Sequence, residues 1–384
     1  MTARGVTARL VTARRLAAAA LLLGMALRFG SALRDGELRD DEKLRYMPVA
    51  ESLRRGEGFA LEGRATAQCM PLWPLALAVL PRGIKPQLLN ALFSSACLPL
   101  AWLLARRLAG PRVALLVLAA LALDLDHAAL AGSLLTEPLF TLLVLLFALA
   151  WANGRILRAA AACGLAALVR PEAALFPFAV ALFGRRARPA GLLLAGVALA
   201  IAPWAVRNAR TFGAFVPFTT SGGITLVAGM NPGEMSLPFR KMGQGRGPNW
   251  KESLAMAPSR DEVEDDRQLA RQAIDYALSH PAPALTITAA KAVLLWSPLQ
   301  RKVTSIVYAA AVLLAWWAMA RGVRFAVPLV APLLAVMTLV GLLFLAIPRY
   351  RAPYHPYLFL LAAAGIAREP QRGKLVETPG RSTS

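Results

Sequence analysis

Long apolar runs alternate with shorter polar stretches along almost the whole chain. Runs such as residues 190–205 and 325–347 contain no charged side chain. A bilayer core about 30 Å thick needs roughly 20 mostly apolar residues in one helix, so these runs predict membrane-spanning helices. Full spans are expected at residues 16–33, 88–105, 113–130, 134–151, 191–206, 303–320, 325–347 and 357–367. Shorter apolar segments follow the same pattern at residues 71–80, 156–169, 173–183 and 285–296, and the first and last of these are expected at the membrane interface.

Two longer polar regions interrupt the spans, at residues 34–68 and 207–283. The glycines at 222, 223 and 229 favour turns rather than a helix, whereas the apolar spacing over residues 261–278 predicts an amphipathic helix. The fold class is therefore an all-α polytopic membrane protein with about ten transmembrane helices and short amphipathic helices in its loops. We expect one transmembrane domain over residues 1–367, with a first outer loop at 34–70 and a large outer loop at 207–300, followed by a polar cytoplasmic tail at 368–384.

Composition supports the membrane class. Hydrophobic residues make up 57% of the 384-residue chain and the mean hydropathy is +0.51, whereas soluble domains are about 45–50% apolar. The formal net charge of +21 would suit a nucleic-acid-binding protein, but the arginines fall in short clusters between apolar runs, at 106–112, 154–158, 184–188 and 321–324. Such clusters mark cytoplasmic loops. Both termini are therefore expected in the cytoplasm and the longer polar loops outside, and no nucleic-acid partner is expected.

Cysteine and histidine are few and far apart in the sequence. The three cysteines offer no disulfide framework. The three histidines, at 127, 280 and 355, are equally scattered, and no His/Cys metal site is expected from their spacing. We also find no internal repeat of the kind that many secondary transporters contain.

The first outward loop carries a run of acids that includes Asp40, Asp41 and Glu42. A carboxylate that is partly desolvated at a membrane surface can act as a general base or bind a metal ion. The same run would also suit a solvated acidic face ahead of a short helix.

Other charged residues lie in or beside the predicted spans. Glu137 opens a span, where the helix dipole favours a carboxylate, so capping is its simplest role. Arg170 and Glu172 lie between two short apolar segments, where charges are costly and are often functional; alternatively, they form a pair that stabilises a helix break. Arg349 and Arg351 share a short outward loop and indicate an anionic partner, since the planar guanidinium suits phosphate.

Together these segments resemble the bacterial GT-C glycosyltransferases related to protein O-mannosyltransferases and to the aminoarabinose transferases that modify lipid A. The resemblance runs along nearly the whole chain in the family's order. It rests on these fragments: Asp41-Glu42 with Tyr46, Ala50, Leu53, Gly56 and Gly58-Phe59; Pro71-Leu72-Trp73-Pro74; Thr136-Glu137-Pro138; Val169-Arg170-Pro171; Pro203-Trp204 with Arg207-Asn208; Ala273-Ile274 through His280-Pro281, then Lys291 and Trp296; and Arg349-Tyr350-Arg351 with Pro353 and Pro356.

The resemblance implies a glycosyltransferase that takes a sugar from a polyprenyl-phosphate donor in the membrane. A first-loop acid would deprotonate a hydroxyl of a cell-envelope lipid, glycan or protein acceptor, which attacks with inversion. In the family the catalytic aspartate stands four residues before the tyrosine; here Glu42 has that place, with Asp41 and Asp40 before it. We assign the base to Asp41, with Glu42 and Asp40 as alternatives, and Tyr46 supports this loop.

The resemblance also implies which residues bind the donor and where the enzyme lies. Arg349 and Arg351, then Arg170 and Lys291, would stabilise the leaving lipid phosphate, with Glu137 and Glu172 in support. No cofactor is required by this chemistry, but a divalent metal ion is left open, with Asp41 and Glu137 as its candidate ligands. The expected location is the bacterial inner membrane, with the active site facing the periplasm. A transporter or flippase of a lipid-linked or anionic substrate, and an inactive scaffold of the same fold, are the competing interpretations.

Overall fold

The computed structural model describes residues 3–34, 42–184, 187–230, 261–297, 306–323 and 327–367. These residues are almost entirely helical. The α-helices are α1 Ala3–Leu33, α2 Met47–Arg54, α3 Leu72–Ala78, α4 Gln87–Ala109, α5 Pro111–Ala122, α6 Leu125–Ala131, α7 Glu137–Ala152, α8 Ile156–Ala167, α9 Phe176–Gly184, α10 Ala187–Phe212, α11 Gly222–Gly229, α12 Glu262–Ser279, α13 Pro281–Trp296, α14 Ile306–Ala320, α15 Val327–Leu343, α16 Pro348–Arg351 and α17 His355–Ala367. A π-helical turn, Glu42–Tyr46, precedes α2, and 3₁₀ turns cover Pro171–Leu175 and Ala352–Tyr354. The strands β1 Ala60–Leu61 and β2 Arg64–Ala65 form one antiparallel hairpin, with Ala60 opposite Ala65.

Membrane-spanning helices are present, as the apolar runs predict. Within the described ranges, α1, α4 and α10 are long and apolar enough to cross a bilayer, and the bent pair α5 and α6 makes a fourth candidate. Six further apolar helices are 10–17 residues long. The chain is therefore an α-helical polytopic membrane protein.

The span predicted at 113–130 is present as two helices, with a bend of 55° between α5 and α6. Asp124 causes the break. Its backbone is extended, and its side chain accepts a hydrogen bond from the Asp126 amide at 3.0 Å, which caps a new helix. A capping aspartate at this point starts α6 on a different axis.

Small residues allow α8 and α10 to pack closely. A Cβ atom at Gly164 would lie 2.6 Å from the carbonyl oxygen of Gly196, and one at Gly196 would lie 2.7 Å from that of Ala160. Such small-residue contacts are typical of helices that associate within membranes. This packing holds α10, whose far end carries the side chains that anchor the first loop.

Residues 222–229 form α11 instead of the expected turns. At Gly223 an added Cβ would overlap the carbonyl oxygen of Asp266, so the glycine lets α11 lie directly against α12. The Gly223 amide also donates to the Asp266 carboxylate at 2.6 Å. The amphipathic helix α12 is confirmed at Glu262–Ser279, with Asp261 as its N-cap.

The polar segments gather at the two ends of the bundle. At one end the Trp73 indole donates to the carbonyl of Leu134 at 2.7 Å. At the other end Arg107 donates to the Asn153 side chain at 3.3 Å. We call the first the loop end; it holds residues 66–72, 131–137, 168–172 and 348–354, all of which the charge pattern assigns to the same side of the membrane.

Candidate functional site

Glu137 and Arg170 form the centre of a buried polar cluster at the loop end. Glu137 is the first residue of α7 and the acidic residue of its first turn. It accepts a hydrogen bond from Arg170 Nη1 at 3.1 Å, with side-chain exposures of 3% and 11%. Arg349 Nε lies 3.8 Å from the same carboxylate oxygen. Glu137 therefore joins two arginines that are distant in the sequence, in addition to its place at the start of a helix.

Arg170 owes its position to the proline that follows it. The residue before a proline is driven to extended backbone, and Arg170 has φ −144° and ψ 126°. The chain then turns, so that Glu172 Oε2 lies 3.4 Å from Arg170 Nε. The Tyr354 hydroxyl donates to Glu172 at 3.1 Å, and Arg170 lies 4.8 Å from the Tyr350 ring centre. We refer to Glu137, Arg170, Glu172 and Arg349 as the Glu137 cluster.

The charges of the Glu137 cluster are balanced, with two arginines and two glutamates. Arg349 has the most exposed side chain of the four, at 21%, and its contact with Glu137 is the longest. A carboxylate oxygen of Glu137 is buried with no hydrogen-bond partner among the described residues. The cluster therefore has one partly exposed arginine, Arg349, beside buried charged partners, which suits an anion approaching from the loop end.

Arg351 is separated from Arg349. Both lie in the helical turn α16, where residues two apart point to different sides. The Arg351 side chain is buried and donates to the carbonyls of Leu295 and Ser297 at 3.4 and 3.0 Å. Its guanidinium lies 3.7 Å from the Tyr308 ring centre. The structure does not bring the two arginines together as a pair.

Lys291 also lies apart from the cluster. It is a buried residue of α13, and its ammonium group donates to the carbonyl of Leu342 at 3.0 Å. No carboxylate lies within ion-pair distance of it in the part of the chain that the structure describes. A buried cation with a single carbonyl partner is costly unless an anion compensates it.

The first-loop acids fall largely outside the described residues. Asp40 and Asp41 lie outside them, and Glu42 begins the π-helical turn with its side chain undescribed. Tyr46 ends this turn and packs against the buried cluster of Leu130, Leu135 and Ala352. Tyr46 thereby places the end of the first loop beside the segments that carry Glu137 and Arg349.

Two polar side chains hold the rest of the first loop in place. Arg207 donates to the carbonyls of Thr66 and Phe59, each at 2.7 Å. Glu262 accepts from the Thr66 hydroxyl at 2.9 Å and from the Ala67 amide at 2.6 Å. The resemblance included Arg207, but nothing in the sequence predicts the bond between α12 and this loop.

The sequence analysis did not predict a second group of buried polar side chains, which lies at the bend between α5 and α6. Asp124, His127 and His355 are almost fully buried, and their potential ligand atoms lie within 4.8 Å of one another. The three-residue spacing of Asp124 and His127 could have indicated that their side chains lie close together. Nothing in the sequence indicated that His355 joins them. By contrast, Glu137, a candidate metal ligand, has arginines as its ionic neighbours, and these oppose a cation.

Comparisons with known proteins return structures but no family. The sequence matches no protein family and no curated protein. Two solved structures are similar to the chain: ArnT from Cupriavidus metallidurans bound to undecaprenyl phosphate, and the same protein in the apo state. In each case the sequences are 17% identical, and the match covers 94% of this chain and 77% of the other. The TM-scores are 0.41 for the bound form and 0.42 for the apo form.

Proposed function

We propose that this chain is a membrane glycosyltransferase that moves a sugar from a polyprenyl-phosphate donor to a hydroxyl of a cell-envelope acceptor. The observation that carries the proposal is the packing of Tyr46 on the buried cluster of Leu130, Leu135 and Ala352. It brings the end of the first loop next to the Glu137 cluster, and we propose that an acid of this loop supplies the base while the cluster supplies the cation. Sugar transfer from a phosphate needs both.

The first-loop acid is the proposed general base. Asp41 is the first choice, with Glu42 and Asp40 as alternatives. Its carboxylate would take the proton of the acceptor hydroxyl, whose oxygen forms a bond to the anomeric carbon. The bond from that carbon to the phosphate oxygen breaks on the opposite face, and the phosphate leaves with the electron pair. The configuration at the anomeric carbon is therefore inverted.

Arg349 is the proposed contact for the leaving phosphate. It is the most exposed cation of the Glu137 cluster, while Arg170 is held between Glu137 and Glu172 and would position the cluster. A preorganised guanidinium in a water-poor site stabilises the charge that develops on the leaving group. Lys291, buried without a carboxylate partner, would supply a second positive charge toward the lipid phosphate. Arg351 is assigned a structural role in this scheme because its side chain faces backbone carbonyls.

Turnover in a defined membrane tests the proposal. Purified protein in lipid nanodiscs is mixed with polyprenyl-phosphate sugars and an envelope extract as acceptor, and released polyprenyl phosphate is measured by mass spectrometry. Asp41→Asn and Glu42→Gln are compared with Asp35→Asn, a matched control in the same loop. We expect loss of release in the variant of the base and full release in the control. Wild-type release in Asp40→Asn, Asp41→Asn, Glu42→Gln and the triple variant would show that the base assignment is wrong.

Sealed liposomes distinguish a transferase from the competing transporter. In sealed liposomes a flippase would change the side on which the lipid-linked sugar is found, without releasing polyprenyl phosphate. A transferase releases it only when acceptor is present. Movement across the membrane without release would replace the proposed function by transport.

A further inference from the structure

The buried group of Asp124, His127 and His355 joins parts of the chain that are far apart in sequence. Asp124 and His127 lie at the bend between α5 and α6, and His355 is the first residue of α17. The three residues have exposures of 0%, 1% and 0%. Asp124 Oδ2 and His355 Nδ1 are 2.7 Å apart, and the imidazole centres of the two histidines are 5.9 Å apart. One carboxylate and two imidazoles thus share a single dry pocket.

Hydrogen bonds determine which ring nitrogens of His127 and His355 carry a proton and which keep a lone pair. His127 Nε2 lies 2.8 Å from the carbonyl oxygen of Ala352, and a carbonyl can only accept, so Nε2 carries the proton. Its Nδ1 therefore keeps a lone pair. His355 Nδ1 bonds to Asp124, while its Nε2 is buried with no hydrogen-bond partner among the described residues. Metal-binding histidines are commonly oriented by a backbone carbonyl, as His127 is by Ala352.

The nearby arginines do not neutralise the carboxylates directly. Arg28 donates to Ser94 and to backbone carbonyls at 2.9–3.0 Å, and Arg351 donates to the carbonyls described above. Neither forms an ion pair with Asp124 or Asp126 in the described part of the chain. Asp126 also has a buried carboxylate oxygen without a hydrogen-bond partner there. The Asp124 carboxylate is paired with His355 instead, and Nδ1 of His127 keeps its lone pair.

We propose that Asp124, His127 and His355 bind one divalent transition-metal ion, with Zn²⁺ as the first candidate. The ion would be held by a carboxylate oxygen of Asp124 and the Nδ1 atoms of His127 and His355, and the proton that His355 Nδ1 shares with Asp124 would move to His355 Nε2. Two imidazoles and a carboxylate are ligands that Zn²⁺ accepts. The ion would tie the α5–α6 bend to the start of α17. Because His127 also holds the Ala352 carbonyl, the ion would fix the turn that carries Arg349. This role requires no part in sugar transfer.

Metal content of the purified protein tests the site. Protein in detergent, prepared with and without Zn²⁺ in the growth medium, is analysed by inductively coupled plasma mass spectrometry. The wild type should carry about one ion per chain. His127→Gln and His355→Gln should lose it, and Asp124→Asn should weaken binding at least about 10–100-fold. His280→Gln is the matched control, because His280 stacks on Tyr276 outside the pocket, and it should keep the ion.

A second measurement uses only the wild-type protein, so it does not depend on whether the variants fold. Co²⁺ is titrated into chelator-treated wild-type protein, and its visible absorption and the melting temperature are followed. We expect a saturable absorption band at one equivalent and a higher melting temperature. Absence of metal in the wild type together with no Co²⁺ band would overturn the proposal. A bound ion that survives in all three pocket variants but is lost in Glu137→Gln would also overturn it, and would move the metal to the Glu137 cluster.

Discussion

The link between Glu137 and Arg170 is the most buried arginine–carboxylate pair among the described residues. The two side chains are 3% and 11% exposed and 3.1 Å apart. Two unit charges at this distance attract by about 5 kcal/mol at an effective dielectric constant of about 20, before desolvation is subtracted. Removing one partner of a buried pair costs about 3–5 kcal/mol. Arg170 keeps Glu172 in Glu137→Gln, and Glu137 keeps Arg349 in Arg170→Gln. We therefore expect each change to lower the free energy of unfolding by about 3 kcal/mol.

A double-mutant cycle isolates the interaction from the other effects of each change. The double variant Glu137→Gln/Arg170→Gln should be less destabilised than the sum of the two, with a coupling energy of about 2 kcal/mol. The assay is reversible unfolding in dodecylmaltoside micelles with a rising fraction of sodium dodecyl sulfate, followed by tryptophan fluorescence. The exposed pair Glu264 and Arg267 in α12, 4.0 Å apart, is the control and should couple by less than about 0.5 kcal/mol. A coupling at Glu137 and Arg170 no larger than the control would refute the description of a buried, rigid cluster.

Three further predictions use the same unfolding assay. Gly196→Leu should destabilise the protein by about 1–3 kcal/mol, because even a Cβ there meets the backbone of α8, whereas Gly191→Leu in the same helix has no atom within 4 Å and should be neutral. Arg207→Lys should cost about 1–2 kcal/mol, since one ammonium group cannot hold both carbonyls of the first loop; equal stability of Arg207→Lys and wild type would count against that anchor. Burial raises the pKa of Asp266, so its contribution is greatest below the unfolded pKa of about 3.9 and is lost as the pH rises through the folded value. Asp266→Asn should therefore gain stability relative to wild type between about pH 4 and about pH 7, and a difference that stays constant with pH would contradict this.

The candidate site contains residues that the sequence pattern identifies and contacts that it does not. Charges beside apolar runs are rare, and this singled out Glu137, Arg170 and Arg349. Their mutual contacts could not be predicted, because they depend on how α7, the 3₁₀ turn at Pro171–Leu175 and α16 pack. The pairing expected for Arg349 and Arg351 illustrates the limit. Two arginines in a loop can both face one ligand, but a single helical turn sends them in different directions.

The sequence by itself determined the class of protein, the approximate position of nearly every helix and the grouping of polar segments at two ends. These features depend on transfer of apolar residues from water and on charge placement, which are local properties of each segment. Only the tertiary structure decided the bend at Asp124, the helix at 222–229 and the meeting of His127 with His355. Each of these depends on a contact between residues distant in the chain or on a helix cap formed by one side chain. The pattern of hydrophobic residues does not predict such contacts. The acids, arginines and histidines were visible in the sequence, but which of them share a pocket was decided by helix packing.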